Sequence, residues 1–306
     1  MAEAADAPPE VFLYTPGRTA TTSLGTTLSR YGIGHVTTHN LDWALWAERR
    51  RHGIGATIQA GPAGGIQYEL QRMRRFEVAL ARVGNGARAP AKIVVGVRFP
   101  YDHLFSVIAY SAQNQIDSLS RAGMANRSDE GIVLDLDGYR RVIEEAAQIY
   151  HRCHSTDPGF LQAPGTGSGY LPPVDGRSEL RNFSLFYMQY MQTWLRLEFQ
   201  SVLGVDLTAR TPVRRSDGAA VYASRYGEVL LYALDHPALD LSAALSAFLG
   251  RGPIEVSHDN DSSSRNPGFH DLAMRLKAEL QGRELLLDHY RADPLIRAIY
   301  AGTGKL

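Results

Sequence analysis

The stretch KIVVGV at residues 92–97 is a continuous apolar strand, without the alternation that marks a sheet with one wet face. Such a strand is buried on both sides, the situation of a parallel sheet covered by helices. Val11 to Tyr14 is a second, shorter strand of the same kind. Each is followed by a turn and then by helical sequence. After Val11–Tyr14, Thr21 to Tyr31 is helical in pattern and is closed by Gly32 and Gly34; after KIVVGV, Pro100 takes a first helical position and Leu104, Phe105 and Ile108 form the buried stripe. Repeated strand, turn and helix predicts an α/β fold: a single P-loop-like domain with a mostly parallel central sheet flanked by helices.

The remaining segments fit that frame. HVTTHNL places His35, Thr37 and His39 on one face of a second strand ending at His39, with Asn40 and Asp42 ready to start the next helix. Helical sequence runs from about Trp43 to Val83, interrupted by GPAGG at 61–65. Further helices are expected at 136–152, 182–203, 238–249 and 269–282, and AAVYASRYGEVLLYALD reads as two strands about a tight turn. PGTGSGYLPPVDG is a long Gly/Pro loop, read as a mobile lid or as disorder. With no internal repeat and no linker, residues 11–306 read as one domain after a frayed acidic tail at 1–10.

Thirty-two basic residues balance 32 acidic ones, so no global field favours nucleic acid or an anionic membrane, and an anion site must be built locally. One cysteine, Cys153, excludes an internal disulfide framework and a cysteine zinc cluster, and reads as a small buried apolar residue. No apolar stretch approaches the roughly 20 residues that span a bilayer, so the expected protein is soluble and cytoplasmic. Whether it forms homo-oligomers stays open.

In open α/β sheets ligands sit beyond the carboxyl ends of strands, and three features lie there: the turn in YTPGRTATTSL (14–24), His39 and Arg98. The turn offers backbone N–H groups at a helix N-terminus, the hydroxyls of Thr19, Thr21, Thr22 and Ser23, and the Arg18 guanidinium. It lacks the Lys-Ser/Thr pair that reaches terminal phosphates and holds magnesium in G-x-x-x-x-G-K-[ST] loops. Arg98 ends a buried strand and Ser106 lies eight residues on, so both can converge on one phosphate. Two separated anion sites imply a ligand with two phosphate groups.

TPGRTATTSL followed by VRFPYDHLFSVIAY resembles the paired phosphate-binding motifs of sulfotransferases, which use 3′-phosphoadenosine 5′-phosphosulfate (PAPS). In that superfamily P-K-x-G-T-[TS] holds the 5′-phosphosulfate and V-R-x-P-x-x-R-x-x-S holds the 3′-phosphate. The resemblance implies cofactor contacts from Gly17, Arg18, Thr19, Ala20, Thr21, Thr22, Ser23, Arg98 and Ser106, with adenosine 3′,5′-bisphosphate as product and no metal. VTTHNL, WLRLEFQSVLGVDL at 194–207 and LIRAIY at 295–300 are similar to bacterial capsular-polysaccharide-synthesis or sulfotransferase-like proteins. In related enzymes a loop near 258–266 closes over the nucleotide, which makes Arg265 and Asn260 further cofactor candidates. Two positions depart from the pattern: Arg18 replaces lysine, and Ala20 replaces glycine.

Sulfuryl transfer requires alignment, charge stabilisation and deprotonation of a hydroxyl acceptor, here a carbohydrate, lipid or small metabolite. His39 is the expected general base, and Arg18 stabilises the transferring group. His35 reads as structural, and Glu198 as a residue that faces solvent or meets the acceptor. Two other classes use the same turn: a nucleotide-dependent small-molecule kinase, and a non-catalytic nucleotide- or glycan-binding relative.

Overall fold

The computed structural model describes residues 9–52, 65–84, 90–111, 116–129, 131–156, 175–257, 267–301 and 303–306. The chain opens with β1 (Val11–Tyr14), α1 (Thr21–Arg30), β2 (His35–Thr38), α2 (Trp43–His52), α3 (Gly65–Gly84), β3 (Ala91–Val97) and α4 (Pro100–Ser111). The short helix α5 (Ile116–Arg121) and the hairpin β4 (Ala125–Ser128) and β5 (Gly131–Leu134) follow, then α6 (Leu136–Thr156). Helix α7 (Gly176–Trp194) continues through a π-helical segment, Leu195–Gln200, into a last turn at Ser201–Leu203. The chain ends with β6 (Arg214–Ser216), β7 (Ala219–Ala223), β8 (Gly227–Ala233), α8 (Leu241–Leu249), α9 (Pro267–Glu279), α10 (Arg283–Ala292) and α11 (Pro294–Tyr300).

The fold is α/β, with a six-stranded sheet in the order β2-β1-β3-β8-β7-β6. β2, β1, β3 and β8 are mutually parallel, and β7 and β6 complete the sheet as antiparallel strands. Alternate residues of the central strands serve opposite faces. Val11, Leu13 and Val94 join Leu24, Leu28, Leu245 and Phe248 under α1 and α8. Phe12, Tyr14, Ile93, Val95 and Val97 join Phe76, Leu104 and Phe105 in the larger core beneath the other helices. Burial on both faces is why these strands are apolar throughout.

The chain leaves β1 for β2 on one side and returns through α2 and α3 to β3 on the other side of β1. The connections after β1 and β3 therefore diverge, and the carboxyl ends of these two strands are the place where open α/β sheets hold ligands. Both sequence-predicted anion elements, the turn within 14–24, which the structure confines to residues 15–20, and Arg98, stand at that edge. Most of the Gly/Pro loop before α7 lies outside the described residues; its end, Asp175, accepts from the Ser178 N–H at 2.6 Å and caps α7. Helix α7 starts six residues before the expected 182 because this capping box, not the apolar run, sets its first turn. The hairpin β4–β5 and helix α5 were not expected.

Candidate functional site

The turn after β1 is held in an uncommon backbone conformation. Gly17, Arg18 and Ala20 have φ of 84°, 56° and 64°, and Arg18 and Ala20 are the non-glycine residues with positive φ among those described. Left-handed backbone costs an L-residue about 1–2 kcal/mol, and such strain collects where the surroundings impose it. Three contacts impose it here. The Thr15 and Thr21 hydroxyls lie 2.6 Å apart, the Gly17 N–H points at Thr15 Oγ1 at 3.4 Å, and the Tyr232 hydroxyl donates to the Thr19 carbonyl from behind. That last bond explains Gly96: a Cβ there would sit 2.8 Å from the Thr19 oxygen and collide with the Tyr232 hydroxyl. Helix α1 begins from this turn without a side-chain N-cap, the arrangement that presents N–H groups and the positive end of the dipole to an anion.

Cationic side chains converge on the turn. The Arg18 guanidinium lies 4.3 Å over the Tyr110 ring on α4. Arg49, from α2, comes to the other flank, since a Cβ on Gly17 would lie 3.7 Å from both Arg49 Nη2 and His39 Nδ1. Arg98, half-buried at the end of β3, has no hydrogen bond or ion pair among the described residues. Two acids of its neighbourhood, Asp102 four residues on and Asp235 on the N–H of the next residue, are already engaged. Asp102 pairs with Lys277 and Lys305, while Asp235 accepts from the Phe99 N–H at 3.1 Å and the Tyr300 hydroxyl at 2.8 Å. Arg98, Arg18 and Arg49 all act on one buried ring, His103, in the first turn of α4. On that helix His103, Ser106 and Tyr110 are spaced i, i+3 and i+7, so they form one stripe along the turn.

The two histidines differ. His39 stands on the bend just past β2, which ends at Thr38 and not at His39 as the sequence suggested. The strand stops there because residues 39–42 turn inward to meet α7. His39 Nδ1 lies 3.0 Å from the Thr15 carbonyl, so Nδ1 carries the proton and Nε2 keeps its lone pair. Burial, with the Arg49 and Arg72 charges, pushes its pKa down to about 3. His103 is wholly buried, and burial followed by the Arg98, Arg18 and Arg49 charges pushes it down to about 3 as well.

Glu198 corrects the sequence reading, which offered solvent or the acceptor. Its carboxylate is fully buried on the π-helical segment. It accepts from the Tyr14 hydroxyl, Asn40 Nδ2 at 3.0 Å, the Leu41 N–H at 2.8 Å and the Asp42 N–H at 3.0 Å. Trp194 Nε1, one turn earlier, donates to the His39 carbonyl at 2.7 Å. The segment carrying His39 is thus pinned from α7 at both ends. Burial raises the Glu198 pKa, and its four donors pull the other way.

No family model, curated protein or solved structure matches the chain. The site is therefore read from its own residues. Among the expected ones, Gly17, Arg18 and Ala20 lie in the turn after β1, His39 Nδ1 is 3.7 Å from where a Gly17 Cβ would stand, and Arg98 follows the end of β3. Ser106 shares the stripe of His103 and Tyr110. Thr21 is occupied by Thr15, Thr22 is exposed, and Ser23 is buried where its carbonyl accepts from the Ser257 hydroxyl at 3.3 Å. Thr19 is buried, and its hydroxyl has no partner among the described residues. His35 packs on α1, with Nε2 3.3 Å from where a Gly25 Cβ would stand, which fits a structural residue. Arg265 and Asn260 lie outside the described residues. Sequence reasoning missed Arg49, Arg72 and His103; spacing pointed to the last of these, three residues before Ser106 on a helix.

Proposed function

We propose that this chain is a PAPS-dependent sulfotransferase, working in the cytoplasm on a hydroxyl acceptor, with the 15–20 turn as a P-loop-like phosphate site. The observation that carries the reading is the Arg98 guanidinium, left without a counter-ion among the described residues beside a strained turn that also draws Arg18 and Arg49. A cation in that setting is completed by an anion, and two such centres along one sheet edge suit a bisphosphate ligand.

When bound, PAPS supplies the sulfuryl group and a phosphate leaving group. The turn amides, Arg18 and Arg49 bind one end of such an anion, and Arg98 with Ser106 the other. Arg18 acts through charge and bidentate donation alone, because a guanidinium keeps its proton. His39 takes the acceptor hydroxyl proton on Nε2, its tautomer fixed by Thr15. Held near 3 by burial and by Arg49 and Arg72, that imidazole is a weak base in the free protein. An anion that neutralises Arg49 moves it back toward its ordinary range, so base strength rises once the site is filled.

Thermal unfolding with and without ligand tests this. Adenosine 3′,5′-bisphosphate at 100 times its Kd adds about 2.7 kcal/mol and raises the Tm, whereas ATP with magnesium leaves it unchanged. The opposite pattern points to a kinase and overturns the proposal. Transfer of label from radiolabelled PAPS to host extract, lost in both Arg18→Ala and His39→Ala, separates the enzyme from a relative that only binds nucleotide or glycan.

A further inference from the structure

Resting on the anion site just proposed, we propose that His103 is a ligand-binding residue there, donating a ring N–H to an anion gathered by Arg18, Arg49 and Arg98. Three observations carry it. The imidazole has no exposed surface. Neither ring nitrogen has a hydrogen-bond partner among the described residues. The charged groups whose fields reach the ring, Arg98 at the end of β3, Arg18 in the turn and Arg49 on α2, are guanidiniums, which have donors and no acceptor.

The other walls do not complete the ring. Tyr190 on α7 stacks against it with centroids 5.8 Å apart and planes at 17°, and Tyr187 stands 6.3 Å away. The Gly17 carbonyl is close enough to favour the charged ring, yet neither ring nitrogen meets it with the geometry of a hydrogen bond. A buried polar group left in this state opposes folding, and leucine would fill the space against Tyr190 without that penalty. The histidine is hence explained by something that binds. An oxyanion between the arginines offers several acceptor oxygens at once, one of them for the imidazole N–H. The same geometry makes the site sensitive to protons. A bound anion places negative charge next to a ring whose charged neighbours are all guanidiniums, so binding favours the imidazolium and strengthens as the pH falls.

Titration calorimetry across pH 5.5–8.5 tests this, with adenosine 3′,5′-bisphosphate and inorganic pyrophosphate as probes and wild type, His103→Leu and His103→Gln as proteins. Leucine is expected to weaken binding of both anions by roughly 10- to 100-fold, the range for one hydrogen bond to a charged group. It is also expected to raise the Tm of the ligand-free protein. Glutamine keeps an N–H donor and holds affinity within a few-fold, yet it loses the part of the pH dependence that His103 carries. The proposal is overturned if leucine binds both anions as wild type does, or if glutamine retains the full pH dependence. If leucine fails to fold, the pH profile of the glutamine variant decides alone. Wild-type binding of pyrophosphate but not of the bisphosphate would sink the sulfotransferase reading and leave His103 to be judged on pyrophosphate. Binding of neither would sink both.

Discussion

Replacing Glu198 tests whether a buried carboxylate organises the edge that carries His39. Its Oε1 receives Asn40 Nδ2 and the Asp42 N–H, both at 3.0 Å, and its Oε2 receives the Leu41 N–H at 2.8 Å and the Tyr14 hydroxyl. In Glu198→Gln one oxygen becomes an NH₂ group, which meets at least one former donor head-on. Hydrogen bonds to charged groups are worth about 1.5–3 kcal/mol each, but the neutral amide also escapes the burial penalty of the charge, so a net loss of about 2–3 kcal/mol is expected. Glu198→Leu strands every donor, among them two backbone amides beside a core, and should lose about 4 kcal/mol or more. That is a large fraction of the 5–15 kcal/mol that separates folded from unfolded domains. Urea unfolding followed by tryptophan fluorescence measures it, because the Trp194 ring packs tilted against Tyr14 in the same cluster, centroids 5.2 Å apart. A glutamine variant within about 0.5 kcal/mol of wild type would refute the assignment.

Ala20→Gly relieves a left-handed alanine at φ 64°; about 1–2 kcal/mol of strain less about 0.4–1 kcal/mol of added unfolded-state entropy leaves a gain of about 0.5–1 kcal/mol, read as a Tm rise of roughly 1–3 °C. An unchanged or lower Tm contradicts it. His39 and His103, both held down to about 3, stay neutral when folded yet charge near 6.5 when unfolded. The stability they permit is complete above that value and is lost as the pH falls toward 3, by up to roughly 2 kcal/mol at pH 5 for buried His103 and less for half-buried His39. Urea midpoints at pH 7 and 5 check this, and His103→Leu should flatten the slope. Arg98→Gln is expected to leave the ligand-free Tm within about 1 °C while weakening bisphosphate binding at least 10-fold by calorimetry; a destabilised free protein would mean that Arg98 has a structural partner.

What the sequence disclosed and what it hid follow from the range of the forces involved. β1, β3 and the start of α4 were legible because burial on both faces leaves an unbroken apolar run, and Pro100 marks a helix start locally. Glu198 was misjudged because charge and periodicity conflicted: four residues past Trp194 it shares a buried face, yet a carboxylate is seldom placed there. Burial prevailed because Tyr14, Asn40 and two backbone amides, from 156 to 184 residues away in the chain, supply its donors. Arg49 belongs to the run ERRRH, where nothing local separates it from Arg50 and Arg51. Only the path of α2 brings it to Gly17.

The proposed anion site would depend on pairing and not on composition. A chain with 32 basic and 32 acidic residues carries no net field, so positive charge can persist at one edge only if nearby acids are committed elsewhere. Asp102 is held by Lys277 and Lys305, Glu69 by Arg50 at 3.6 Å and Trp46 at 3.2 Å, and Glu198 by neutral donors. Asp102 and Glu198 thus have their donors elsewhere, whereas Glu69, though shared with Arg50 and Trp46, still lends its charge to Arg49, which leaves Arg98 as the cation at this edge with no ion pair among the described residues. Mutations of Lys277 or Lys305 well away from the turn should therefore weaken anion binding, by freeing Asp102 and Asp235 to turn toward Arg98.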